Sequence, residues 1–258
     1  MRILITNDDG YTSKGLRTLV EMAQAYGEVT VVAPQFPQSA MSNAVSVGKM
    51  LRLTPMEEPH WYYCLGTPVD CVKTALNVLF QDHFPDILLS GINHGSNAST
   101  AVLYSGTLGA ACEASLYGIP SIAFSLCTHK PDADFNAITH FGPSILEQFI
   151  ASPPAPHTYI NVNFPNDPVE AIKGIRICRM GMGVWVKELE ARMDPYGKPY
   201  YWMVGDYVNK EPKEALCDNN LLDAHYITIV PHLVDITNYP ELARLQQAWS
   251  GLTQTNHS

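Results

Sequence analysis

The chain opens on Ile3-Leu4-Ile5, apolar at every position, and turns abruptly polar at Asn7-Asp8-Asp9-Gly10. An apolar run without alternation predicts a strand buried on both faces, here Arg2–Thr6, followed by an exit loop. Leu16, Leu19, Val20 and Ala23 then recur at helical spacing, Gly27 closes that segment, and residues 28–33, stopped by Pro34, read as a second strand. A β-α-β unit with so short a crossover predicts parallel neighbours.

Residues 35–65 are irregular, with alternating pieces at 44–47, 51–54 and 61–65 that predict small inserted strands. Thr67-Pro68-Val69-Asp70 opens the next helix, with Thr67 as N-cap, Pro68 at N1 and Asp70 at N3, and Val69, Val72, Leu76, Leu79 and Phe80 form its apolar stripe. Strands at 86–90 and Ser121–Leu126 flank a helix at 108–117 that ends at Gly118. A helix over 135–150 with a kink or break at Gly142-Pro143 precedes strands at 159–162 and 174–178.

Beyond about residue 180 the pattern changes. Aromatic and apolar residues alternate around Asp194-Pro195-Tyr196-Gly197, which predicts a hairpin pairing 184–190 with 199–204. A polar, acidic stretch over 209–223 leads to a last strand at 226–230 and a short helix within 240–249. The alternation as a whole predicts an α/β fold, a three-layer α/β/α Rossmann-like core over residues 1–180 with a mostly parallel sheet. Residues 181–258 form a C-terminal β-hairpin, strand and helix extension.

In an open parallel sheet, ligands bind outside the carboxyl ends of the strands, so the strand exits carry the chemistry. Three exits are polar together: Asn7-Asp8-Asp9-Gly10, the loop bearing Ser39, Ser42 and Asn43, and Ser90-Gly91-Ile92-Asn93-His94-Gly95-Ser96-Asn97. Two adjacent carboxylates at the mouth of a buried strand repel unless one is protonated or a cation intervenes. Two carboxylates with a hydroxyl and an amide carbonyl make an all-oxygen set suited to Mg²⁺ or Mn²⁺. Singly, each piece has an ordinary reading as a turn or helix cap, and their conjunction favours the functional one. A fourth exit, Tyr104-Ser105-Gly106-Thr107, places hydroxyls and a glycine at a helix N-terminus, where phosphate binds through free N–H groups and the macrodipole.

Composition narrows this picture. With 16 Lys+Arg against 25 Asp+Glu the formal net charge is −9, which disfavours a nucleic-acid polymer as partner. The 258 residues are 46% hydrophobic and 16% charged, too apolar for disorder. The six cysteines form no C-x-x-C pair and are expected to be reduced core thiols. The N-terminus lacks the apolar region of a signal peptide, and no segment reaches the ~18 apolar residues of a membrane span. The expectation is a cytoplasmic protein with no membrane partner. The signatures of P-loop NTPases, simple dinucleotide oxidoreductases, α/β-hydrolases and zincins are missing.

Ile3-Leu4-Ile5-Thr6-Asn7-Asp8-Asp9-Gly10, Val32-Ala33-Pro34 with Ser39 and Ser42-Asn43, Gly66-Thr67-Pro68-Val69-Asp70, Ser90-Gly91-Ile92-Asn93 with Gly95 and Asn97, and Ser105-Gly106-Thr107 resemble the SurE family of metal-dependent 5'/3'-nucleotidases. Asn161-Val162-Asn163-Phe164-Pro165, Asp194-Pro195-Tyr196-Gly197 and Tyr226-Ile227-Thr228-Ile229-Val230-Pro231 extend the resemblance in order almost to the C-terminus. It implies hydrolysis of nucleoside 5'- and 3'-monophosphates, and sometimes short polyphosphate, with one divalent metal ion per subunit held by Asp8, Asp9, Ser39 and Asn93. Asp8 or Asp9 would position or deprotonate the attacking water. Asn43, Asn97, Ser105, Gly106 and Thr107 are the expected phosphate and substrate contacts.

Two departures stand out: Ala40 and His225 occupy positions where the family usually has glycine. An aspartyl-phosphate route is the rival within the enzyme class, disfavoured by the missing D-x-D spacing. A non-catalytic nucleotide or metal sensor is the rival outside it. The resemblance also favours a homodimer or homotetramer built by the extension, against a hairpin that folds back on its own core.

Overall fold

The structure, a computed structural model, describes residues 1–130 and 132–253. β1 (Arg2–Thr6), α1 (Lys14–Ala23) and β2 (Glu28–Pro34) form the expected unit, β1 lying parallel to β2 with Ile3 opposite Val29. Ser13 caps α1 by accepting the Leu16 N–H, and Gly15 lets the helix press onto the sheet, where a Cβ would stand 2.2 Å from the Ile92 carbonyl. β3 (Leu53–Pro55) and β4 (Trp61–Cys64) follow, but residues 44–47 form irregular loop instead of the expected strand. There the local polar bonds prevail over alternation: Ser46 N–H donates to Asp70 Oδ1 at 3.0 Å and the Ala44 carbonyl accepts from Thr67 at 2.7 Å.

α2 (Pro68–Thr74) starts with the full Thr67/Asp70 capping box and runs on into a π-helical turn, Ala75–Leu79. β5 (Ile87–His94) is longer than expected, so Asn93 lies within the strand, paired with Ser125 beyond an irregularity after Ser90. α3 (Gly106–Leu116) begins directly at the Ser105 cap, and β6 (Ser121–Leu126) follows it. α4 (Asn136–Ala151) continues through Pro143 without breaking.

β7 (Thr158–Phe164) and β8 (Ile175–Ile177) do not pair with each other. The nine-stranded sheet has the order β3-β4-β2-β1-β5-β6-β7-β13-β8, with β13 (Ile227–Leu233) inserted antiparallel to β7 and parallel to β8. From β4 through β7 all neighbours are parallel. Ile3 and Ile5 face a core under α1 and α4, while Leu4 faces a second core under α2 and α3. This is the three-layer α/β/α arrangement.

Between β8 and β13 the chain leaves the sheet. β9 (Gly183–Val186) pairs with β12 (Asp206–Asn209), and β10 (Leu189–Met193) pairs with β11 (Pro199–Met203). From Val186 opposite Asp206 to Leu189 opposite Met203, both arms advance three residues, so one register spans the hairpin. Its arms are therefore longer than expected: Val184 faces Val208, and Glu190 faces Trp202. Lys187 and Gly205, at φ 54° and 136°, interrupt the ladder between the two halves. The acidic stretch hides a short helix, α5 (Asp218–Asp223), and the chain closes on α6 (Tyr239–Ala248) and α7 (Ser250–Thr253). Among the described residues no helix is long and apolar enough to cross a membrane, and all six cysteines are free thiols.

Candidate active site

The chain leaves β1 toward β2 on one side and resumes at β5 on the other, so the switch point of the sheet lies between β1 and β5. Thr6 stands opposite Ser90 there, which brings Asp8 and Asp9 beside the carboxyl end of β5. The exit loop of β2 folds back toward them, the Gln38 N–H donating to the Asp8 carbonyl at 2.7 Å, which brings the backbone just before Ser39 to the end of β1. Asn93 Nδ2 donates to the Gly95 carbonyl at 2.8 Å, which leaves Oδ1 as the atom available to a cation.

Asp8 is buried, and its carboxyl is pushed up to about 6 by loss of hydration, with the charge of Asp9 adding to the shift. The Thr107 hydroxyl donates to Asp8 Oδ1 at 2.6 Å and works in the opposite direction. Asp9 is anchored through Oδ2, which accepts the His94 backbone N–H at 3.2 Å and lies 3.3 Å from His94 Nδ1. No lysine or arginine pairs with either carboxylate among the described residues. Nor do three or more His, Cys, Asp or Glu side chains gather into a metal cluster among them. A cation held here would therefore rely on two carboxylates and the neutral oxygens of Ser39 and Asn93. That donor set fits a hard divalent ion and does not suit a thiophilic one.

The N-terminus of α3 closes the site from the other face. Gly106 packs so tightly that a Cβ would come within 3.0 Å of Asp8 Cβ and 3.2 Å of Pro68. The two flanking hydroxyls differ: Ser105 Oγ accepts the Leu108 N–H at 3.1 Å and keeps its own proton to donate, whereas the Thr107 proton is spent on Asp8. The groups left to bind an anion at this terminus are the peptide N–H groups, that of Gly106 foremost, and the Ser105 hydroxyl. Ser42 ties the neighbouring loop to this helix, its N–H donating to the Tyr104 carbonyl at 3.0 Å and its hydroxyl to that of Leu103 at 2.8 Å. Asn43 Oδ1 lies beside Gly109, where a Cβ would meet it at 3.1 Å.

Asn97 is placed differently. Its N–H donates to Asn163 Oδ1, its amide to Ser125 Oγ and its carbonyl accepts from Asn161, all within 2.9 Å, so it belongs to a buried polar network under the site. Thr107, an expected phosphate contact, spends its hydroxyl on Asp8. His94, to which the motif reading gives no role, reaches Asp9 through its backbone N–H and its ring. Asn7 also contributes, its amide donating to the Gly10 carbonyl and to Ser13 Oγ while its buried Oδ1 has no protein partner.

The family model described as "Survival protein SurE" matches residues 3–187. A 5'-nucleotidase SurE from Cytophaga hutchinsonii is 43% identical over 250 residues, covering 96% of each chain. Its counterpart in Flavobacterium psychrophilum is 40% identical over 247 residues, covering 94% of this chain and 95% of that one. The crystal structure of the SurE protein from Aquifex aeolicus superposes with a TM-score of 0.84 at 33% identity, over 96% of this chain and 100% of that one.

Proposed function

The chain belongs to the SurE family, and from that premise we propose that it is a divalent-metal-dependent nucleotidase, cleaving nucleoside 5'- and 3'-monophosphates to nucleoside and phosphate, with short polyphosphate a further substrate. The observation that carries this reading is the buried Asp8 carboxylate, pressed between Asp9 and the N-terminus of α3 without a basic partner. Such a site is electrostatically incomplete until a cation and an anion enter together.

Asp8, Asp9, Ser39 and Asn93 would hold one ion, Mg²⁺ or Mn²⁺. When bound, that ion supplies Lewis-acid stabilisation of the phosphoryl charge and lowers the pKa of water. The residues do the rest. His94 grips one oxygen of Asp9 and orients the other. Thr107 fixes Asp8 as His94 fixes Asp9, so whichever of the two carboxylates accepts the proton of the attacking water does not have to reorganise. The N–H groups at the start of α3 take up the non-bridging phosphoryl oxygens, helped by the helix dipole.

The extension serves assembly in this reading. β10 and β11 are exposed at every residue, including Tyr200, Tyr201, Trp202 and Met203, and α6 buries none of its residues, so among the described residues nothing covers this surface. A homodimer or homotetramer formed through residues 181–258 would cover it.

The test is to offer 5'- and 3'-monophosphates and tripolyphosphate with Mn²⁺ and to measure inorganic phosphate. Release over many turnovers supports an enzyme. Saturable nucleotide binding with no release would identify a sensor instead.

A further inference from the structure

The root of the hairpin is fastened to the segment that carries the anion site. Asp218, in the first turn of α5 and fully buried, accepts the Ser99 N–H at 2.7 Å through Oδ2. Its Oδ1 accepts the Gly181 and Asn219 N–H groups, each at 2.8 Å. Three peptide donors on one carboxylate compensate a buried charge without any cation, and they draw α5, the entry to the hairpin and the Ser99 turn to one point. Tyr207 of β12 reinforces the junction by donating to Ser99 Oγ and accepting from Asn219 Nδ2 at 2.9 Å. Thr100 Oγ1 adds a bond to the Gly183 carbonyl at 3.0 Å.

Ser99 is held at φ 54°, in the left-handed region that a non-glycine residue occupies only when its surroundings impose it. From Ser99 the chain runs through the 3-10 turn Ser99–Leu103 straight into the site. Leu103 and Tyr104 hold Ser42, next to Asn43, and Ser105 then starts α3. Asp8, Asp9 and Asn93 stand instead at the ends of the central strands β1 and β5, which the Asp218 junction does not touch.

We propose that Asp218 and Tyr207 are positioning residues for the anion half of the site. By fixing Ser99 they set where the turn delivers Asn43 and the N-terminus of α3, and so tie phosphate binding to the root of the hairpin. The inference rests on the nucleotidase reading for its ligand, and its test does not require turnover.

Titration calorimetry of Mn²⁺ alone, and of inorganic phosphate in saturating Mn²⁺, would be run on the wild type, Asp218→Asn and Tyr207→Phe. Phosphate should bind at least tenfold more weakly to Asp218→Asn, which turns an amide toward peptide donors, and at least threefold more weakly to Tyr207→Phe. Mn²⁺ affinity should fall by less than phosphate affinity, because of the four metal-holding residues only Asp8 is tied to α3, through Thr107, and the KM for a nucleoside 5'-monophosphate should rise in step with the phosphate Kd. A merely structural role would lower Tm and leave phosphate affinity alone. If Asp218→Asn does not fold, Tyr207→Phe, which removes one hydroxyl, decides the matter. Phosphate affinity within twofold of wild type in the folded variants would overturn the proposal. A wild type that binds phosphate but hydrolyses no nucleotide would overturn the nucleotidase reading and leave this comparison intact.

Discussion

Asp8 meets two opposed demands, being buried for its bond to Thr107 yet needed as a charge beside Asp9. Its pKa in the folded, metal-free chain is about 6, above the ordinary 3.8. The folded state therefore binds the proton more tightly than the unfolded one. Stability from this group is intact below about pH 4, falls as pH rises toward 6 and stays reduced above, by about 3 kcal/mol in all. Asp8→Asn should remove that loss. Urea unfolding of metal-free protein should find the variant more stable at pH 8, with the gap closing near pH 4, and a gap that does not change with pH would contradict the assignment. A second prediction concerns Ala40, one of two residues standing where the family usually has glycine. Ala40 and His225 both adopt left-handed backbone, at φ 60° and 68°. Removing the Cβ at position 40 relieves that strain, so Ala40→Gly should raise stability by about 1 kcal/mol. A loss of stability on denaturant unfolding would refute this.

Elements with a strong period were legible in the sequence. β1, α1, β2 and the capped start of α2 follow from apolar runs, helical spacing and the Thr67/Asp70 box, because burial and capping are local demands. What failed was decided by distant partners. The alternation at 44–47 is undone by bonds to Asp70 and Thr67, and α5 stayed hidden in a polar stretch because Asp218 is buried by peptide donors from elsewhere. The place of β13 between β7 and β8 is a pairing choice that no local pattern encodes. For the site, the strand exits revealed which residues gather, but not that Thr107 would serve Asp8 or that Asn97 would join a buried network. The hairpin register also defines a clean truncation. Because Val186 pairs with Asp206, residues 187–205 can be replaced by a two-residue Asn-Gly turn. Analytical ultracentrifugation should show a dimer or tetramer for the full chain and a smaller species for the truncated one, whereas equal masses would count against assembly through the hairpin.

At the scale of the whole molecule, an acidic chain with net charge −9 is asked to bind an anionic substrate. The general field opposes that binding, so positive potential has to be local, and the switch point between β1 and β5 is where the fold can supply it. In the proposed reading the paired carboxylates recruit a cation and the N-terminus of α3 offers its dipole, so that the substrate would meet two positive sources set into a negative surface. Metal dependence is thus central to the proposed function, in which the same crevice without its cation would repel phosphate. It is tested most directly by phosphate release from a nucleoside 5'-monophosphate, using protein verified metal-free, in EDTA and again after Mn²⁺ is added in excess. The account predicts no turnover in EDTA, recovery with Mn²⁺, and at least about 100-fold lower activity in Asp9→Asn. Undiminished turnover by the metal-free protein in EDTA would contradict it.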